Sequence, residues 1–230
     1  MSQTAASPVI TVDGPSGVGK GTVSRWLARR LGWHWLDSGA LYRLAALHAD
    51  RLNLVGADPA RLGDLCAHLP LVIVEQEGEP RFVLDGEDVS TKLRAEAVAG
   101  LASRLSVFPE VRAGLLSWQR TRRQPPGLVA DGRDMGTVVF PDAGLKLFLD
   151  ASAEERARRR WVQLRQAGVD ARLDDLSAEV RERDERDRTR SVAPLRPAEG
   201  AVIIDTTHLS PAAVEARIAS LLERRSPGAA

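Results

Sequence analysis

Between Pro8 and Leu31 three pieces follow without a break: a β-branched run, 8-PVITVD-13; a glycine-rich stretch, 14-GPSGVGKGT-22; and a segment whose apolar residues Val23, Trp26, Leu27 and Leu31 fall on one helical face. Strand, glycine loop and helix in that order belong to an α/β sheet, and they specify an anion cradle at the join. Glycines 14, 17, 19 and 21 let the backbone turn its N–H groups inward, and the start of the following helix adds its own unpaired N–H groups. The cradle comprises Gly14, Pro15, Ser16, Gly17, Val18, Gly19, Lys20, Gly21 and Thr22, with Lys20 placed to reach the β- and γ-phosphates of a nucleotide. One position departs from the usual pattern. Gly21 follows Lys20 where Ser or Thr would normally hold Mg²⁺.

The rest of the chain supports a parallel sheet. Short strands are expected at 33–37, 127–132, 145–150 and 201–206, which with 8–13 makes five. Helices are expected at 39–52 with Ser38 as N-cap, at 58–69 with Asp58 as cap and Pro59 in the first turn, at 92–106, 109–123, 153–164 with Ser152 as cap, 174–190, and from Ser210-Pro211 to near the end. Alternation of strands and helices implies a parallel sheet covered on both faces. The texture changes at 71-LVIVEQEGEPRFVLDGEDVS-90. Turn signals at Glu77-Gly78-Glu79-Pro80 and Asp85-Gly86 divide it into a small antiparallel sheet, an insertion of about thirty residues in the larger fold. Residues 1–7 and the tail 226-SPGAA-230 read as loose.

Composition narrows the function classes. The 230 residues carry a net charge of +1, so no bulk field points to nucleic acid or a membrane. Of 32 basic residues only Lys20, Lys92 and Lys146 are lysine. Arginine's rigid fork of donors matches phosphate and carboxylate, although compositional bias accounts for most of them. Cys66 is the single cysteine and reads as buried filler, which excludes a disulfide frame and a thiolate metal cluster. His34, His48, His68 and His208 have no ligand spacing, and the five tryptophans read as core or amphipathic filler. The first ten residues lack the pattern of a signal peptide and no stretch reaches transmembrane length, so a cytoplasmic chain is expected.

Gly-Lys-Gly-Thr at 19–22 resembles the loop of nucleoside monophosphate kinases, in which Mg²⁺ is held mainly by nucleotide phosphates and water. Asp131, at the end of a core strand, is then the natural outer-shell partner of the hydrated ion. The runs 36-LDSGALYR-43 and 130-ADGRDMGTVVFPDA-143 lie past strand carboxyl ends, where ligands bind in such sheets. Together with VDGPSGVGKGT, LFLDASAEERARRR and ERDERDRTRSVAPL, they resemble the motifs of bacterial cytidylate kinase, in order, from about Pro8 to the last helix.

That resemblance implies a single P-loop kinase domain over 1–230. Its core would be 8–37, 125–152 and 200–225, its monophosphate-binding region 38–124 with the β insertion at 70–90, and its lid 153–190. It implies ATP with Mg²⁺ as donor, CMP or dCMP as acceptor, no nucleic-acid or membrane partner, and a monomer. Ser38, Arg133 and Asp134 would recognise cytosine, a carboxylate being the acceptor that the N4 amine requires. Arg43 would grip the CMP phosphate, Ser103 and Arg112 would lie at the base, and Arg183 and Asp187 at the ribose. Arg183, Arg186 and Arg190 share one helical stripe, and Arg190 joins the CMP set. Among Arg156, Arg158, Arg159 and Arg160 the lid arginine over the phosphates is expected to be Arg159, catalytic together with Lys20 and Arg133.

Each residue also has a plainer reading. Ser38 is a helix cap, Arg133–Asp134 a structural ion pair, and Glu182–Arg186 with Asp184–Arg188 a solvated i,i+4 ladder. Three rival functions remain in view. A kinase for uridylate, thymidylate or shikimate would share the loop. A GTP switch would want an Asn-Lys-x-Asp motif, which is absent. A nucleic-acid-dependent ATPase would want interleaved basic and aromatic residues.

Overall fold

The computed structural model describes residues 6–76, 79–166 and 168–225. Glu77 and Gly78 of the expected turn Glu77-Gly78-Glu79-Pro80, Ala167 in the break before the charged helix, residues 1–5 and the tail 226–230 lie outside them. Glu79 and Pro80 pair with Gln76 and Glu75 as strand residues, not as part of the turn.

Two compact units form. The first comprises Met1–Leu36, Arg123–Thr189 and Ala193–Ala230. It holds the parallel sheet of β1 (Val9–Asp13), β2 (His34–Asp37), β6 (Leu128–Gly132), β7 (Leu145–Asp150) and β8 (Val202–Asp205), in the order β2-β6-β1-β7-β8. β1 is the central strand, and all five of its residues are buried, as a parallel strand covered on both faces should be. Register sets Val12 opposite Asp131 and Asp13 opposite Gly132, so the ends of β1 and β6 come level. Helices α1 (Lys20–Leu31) and α8 (Pro211–Arg225) pack on this sheet through Val23, Leu27, Val214 and Ile218. Helices α6 (Ala153–Gln166) and α7 (Leu173–Thr189) close on each other over Ala157, Leu176 and Val180.

The second unit comprises Asp37–Arg122 and Arg190–Val192. It contains α2 (Ser38–Arg51), α3 (Pro59–Ala67), α4 (Glu96–Leu105), α5 (Pro109–Thr121) and the antiparallel sheet β3 (Leu71–Gln76), β4 (Glu79–Leu84) and β5 (Glu87–Asp88). Two expectations change here. The cap of α2 is Asp37, whose Oδ1 accepts from Ala40 N at 2.8 Å, and Ser38 is the buried first residue of the helix. The helix expected over 92–106 divides into a 3₁₀ turn, Lys92–Arg94, and α4, because Ala95 is extended. The two pieces serve different clusters: Leu93 packs with Leu84 and Val89, and Leu101 and Leu105 pack with Leu41 and Leu115. Cys66 is buried, which pushes its thiol up to about 12 and leaves it inert.

Helices α3 and α5 cross where each carries a glycine. A Cβ on Gly114 would stand 2.4 Å from Gly63 O and 2.9 Å from Cys66 Cβ. Alanine in a helix gains about 1 kcal/mol over glycine, whereas overpacking costs about 1–3 kcal/mol. A backbone oxygen cannot rotate away, so the loss wins. Gly114→Ala therefore lowers the urea midpoint, while Gly100→Ala, whose Cβ meets only the end of Arg104 at 3.7 Å, does not. Equal midpoints for the two variants would contradict the close crossing.

Candidate active site

The glycine loop leaves the end of β1. Gly14, at φ 151°, passes so close to β7 that a Cβ would lie 2.1 Å from Leu149 O. Gly17 (φ 74°) and Gly19 (φ 96°) are left-handed, which glycine adopts without a Cβ penalty. The loop ends at Lys20, the first residue of α1, which is 8% exposed and donates from Nζ to Pro15 O at 2.7 Å. Burial holds its ammonium well below the usual lysine range. Arg133 and then Arg183 push the same way, and Asp131 and Asp13 oppose them. A buried lysine with two arginines close enough to depress it, at the end of a glycine loop, suits the binding of phosphate groups.

Arg133 and Asp134 follow β6 directly. Arg133 Nε donates to Asp187 Oδ2 on α7 at 3.0 Å, so Arg133 pairs with Asp187 and Asp134 lies buried beside them. Beyond Asp134 the chain makes a π-helical turn, Met135–Val139. Its cause is Asp13. Both carboxylate oxygens of Asp13 accept backbone N–H groups at 2.8 Å, from Met135 and Gly136, which fixes where the preceding Arg133 and Asp134 stand. Asp131 Oδ2 accepts from Trp35 Nε1 at 2.9 Å, with the Arg25 guanidinium 5.5 Å from the Trp35 ring centre.

Burial raises the Asp13 carboxyl to about 6, against the lowering by its two N–H donors. A folded-state pKa above the unfolded value of 3.8 means that the folded protein holds the proton longer. Stability from this group is full below pH ~4 and is lost as pH rises through about 6, with a change on the order of 3 kcal/mol. Urea unfolding of the wild type and of Asp13→Asn across pH 4–7 isolates this group together with its coupling to Asp134 and Lys20, since the carboxylates that do not interact with Asp13 cancel in the difference. The wild type loses stability relative to Asp13→Asn as pH rises, and parallel curves would contradict the assignment.

The arginines of α6 separate by helix phase. Arg156 is 1% exposed and donates to Ala151 O (3.0 Å), to Ser16 O of the glycine loop (3.2 Å) and, through both Nη atoms, to Asp184 on α7. Arg158 forks onto Glu155. Arg159 donates to Glu155 Oε1 at 2.8 Å and to Thr206 Oγ1 and O at 3.1 and 2.5 Å. The guanidinium that touches the loop is therefore that of Arg156. On α7, Glu182–Arg186 pairs as the i,i+4 spacing predicts, but Asp184 is buried and turns to Arg156 in place of Arg188. Arg190 follows the last residue of α7, outside the helical stripe.

In the second unit Arg43 Nη2 donates to Asp37 Oδ2 at 3.2 Å over Gly39, where a Cβ would crowd both partners. Arg112 is buried, stacks 5.4 Å from the Tyr42 ring centre and donates from Nη1 to Ser106 O at 3.2 Å. Ser106 Oγ in turn donates to Ser103 O, and Ser38 and Ser103 are both buried. Asp13 and Trp35 carry no role in the sequence analysis, and Arg156, weighed there beside Arg159, is the α6 arginine that touches the loop. Asp13 stood in plain view before Gly14, but its partners lie more than a hundred residues on.

A parallel sheet of this order, with a glycine loop after its central strand and a buried lysine opening the next helix, defines a P-loop kinase fold. A structure of an uncharacterized protein from Eubacterium ventriosum ATCC 27560 shares that fold at TM-score 0.50 and 11% identity, covering 95% of this chain and 99% of its own. The family model for cytidylate kinase matches residues 10–224, and the chain belongs to that family. It is 57% identical over 207 residues to the cytidylate kinase of Edwardsiella ictaluri (strain 93-146), covering 90% of this chain and 92% of the relative. It is 53% identical to that of Enterobacter sp. (strain 638), covering 90% and 91%.

Proposed function

We propose that this protein transfers the γ-phosphate of ATP to CMP or dCMP, giving ADP and CDP or dCDP. The observation that carries the reading is the glycine loop closed by the buried Lys20, whose Nζ donates to Pro15 O, with Arg133 and Arg183 depressing its ammonium, in a chain of the cytidylate kinase family. Such a cluster binds and screens the charge of phosphates during in-line transfer, which is nearly all that this chemistry asks of a protein. The acceptor is already a phosphate oxygen, so no strong base is needed.

The loop N–H groups and Lys20 hold the β- and γ-phosphates. Asp134, with Ser38 and Arg133, reads cytosine. Arg43 takes the CMP phosphate, Asp187 and Arg183 the ribose, and Ser103, Arg112 and Arg190 complete the acceptor set. Arg159 serves the lid only if it leaves Thr206 and Glu155. The residues suit Mg²⁺ carried in by the nucleotide. Among the described residues no three His, Cys, Asp or Glu side chains converge on a metal position, and both oxygens of Asp13 are occupied by backbone donors. Asp131, whose Oδ2 accepts from Trp35 Nε1, is the carboxylate that would serve the water shell of the ion. When bound, Mg²⁺ neutralises charge on the transferring phosphates.

Calorimetric titration of the protein with CMP, dCMP and UMP tests the acceptor assignment without relying on turnover. CMP and dCMP bind and UMP binds far more weakly. Equal affinity for UMP would remove the cytosine-reading roles.

A further inference from the structure

A guanidinium as deeply buried as that of Arg156 persists only when its donors are satisfied, and the way they are satisfied is informative. Nε holds Ala151 O at the end of β7, Nη1 holds Ser16 O, and both Nη atoms grip Asp184. Ser16 and Gly17 form the crown of the glycine loop. The peptide between them is planar and trans, so its C=O and N–H point in opposite directions. With Ser16 O tied back to Arg156, the Gly17 N–H faces away from Arg156, on the open side of the loop. Gly17 rests on the first turn of α6 so closely that a Cβ would lie 3.3 Å from Arg156 Cβ and 3.3 Å from its carbonyl oxygen. Asp184 meanwhile sits on α7 three residues before Asp187, the partner of Arg133, and one after Arg183, which depresses Lys20. α7 is thus docked by two ion pairs, one to the arginine under the phosphate loop and one to the arginine after β6.

We propose that Arg156, held by Asp184, is a positioning residue for triphosphate binding: it sets the Ser16–Gly17 peptide so that the Gly17 N–H faces the phosphates. Arg156 touches no phosphate itself and acts through the loop backbone. The inference rests on the kinase reading of the site but not on the identity of the acceptor.

The test is calorimetric titration with Mg-ATP alone, no acceptor present, on the wild type, Asp184→Asn and Val180→Ala. Asn keeps the size of Asp184 but withdraws the charge that holds Arg156. Val180→Ala loosens the same α6–α7 packing without touching the pair, and so controls for a merely structural effect. Asp184→Asn weakens ATP binding about tenfold, the fold-change for one charged hydrogen bond, and shifts the Gly17 amide resonance. Val180→Ala lowers the melting temperature and leaves both readouts near the wild type. Wild-type ATP affinity in Asp184→Asn, or an equal loss in Val180→Ala, would overturn the proposal. A wild type that failed to bind ATP would overturn the kinase reading, and this inference with it.

Discussion

Lys20→Ala loses turnover by a factor on the order of 10²–10³, the range for removing one preorganised donor from a developing anion, and retains CMP binding. Lys20 opens α1 with its ammonium buried and depressed by burial, Arg133 and Arg183. A cation kept under that strain is used fully only when phosphate oxygens arrive beside it, so its value is concentrated in the charge-rich transfer step. Removing it also relieves the unfolded-to-folded desolvation of a charge, so thermal stability holds or rises. Lys20→Met, which keeps the length and drops the charge, behaves like Lys20→Ala. Steady-state kinetics paired with CMP calorimetry checks the division of labour. A parallel collapse of CMP affinity would contradict it.

Asp134→Ala loses discrimination between cytosine and uracil by about 1–3 kcal/mol, roughly five- to 150-fold in the ratio of kcat/KM for CMP to that for UMP. Asp134 is buried between the end of β6 and a π-helical turn whose position is set by Asp13, so its carboxylate is not a solvated surface charge. Cytosine presents an amine where uracil presents a carbonyl, and a carboxylate accepts from the first and repels the second. The readout is the ratio, because a general loss of activity from a disturbed turn would lower both substrates together. An unchanged ratio would reject Asp134 as the base reader.

Local rules carried much of this molecule. The β-branched run, the glycine loop and the amphipathic α1 each rest on spacing within a few residues, and the structure forms them where the pattern predicts. The turn between β4 and β5 follows from Asp85-Gly86 in the same way, whereas Glu79 and Pro80, expected in a turn, begin β4. Errors arose where the deciding partner was distant or equally plausible. Asp37 and Ser38 are both good caps, and Asp37 prevails because its carboxylate also holds Arg43. Ala95 interrupts the expected helix because Leu93 and Leu101 are drawn to different clusters. Local charge spacing found Glu182–Arg186 but missed Asp184–Arg156, since burial and not i,i+4 geometry chose that partner. Asp13 and Arg156 find their functional partners 122 and 140 residues away in sequence. No periodicity encodes such contacts. Only the parallel register of β1, β6 and β7 creates them.

The central claim is the reaction itself, and a coupled ADP-release assay with Mg-ATP tests it most directly. The acceptors are CMP, dCMP, UMP, AMP, dTMP and none. Activity confined to CMP and dCMP is the predicted result. Fast turnover of UMP or AMP would leave the loop chemistry standing but contradict the cytosine-reading assignment of Ser38, Arg133 and Asp134, and no acceptor-dependent ADP release at all would contradict the kinase reading.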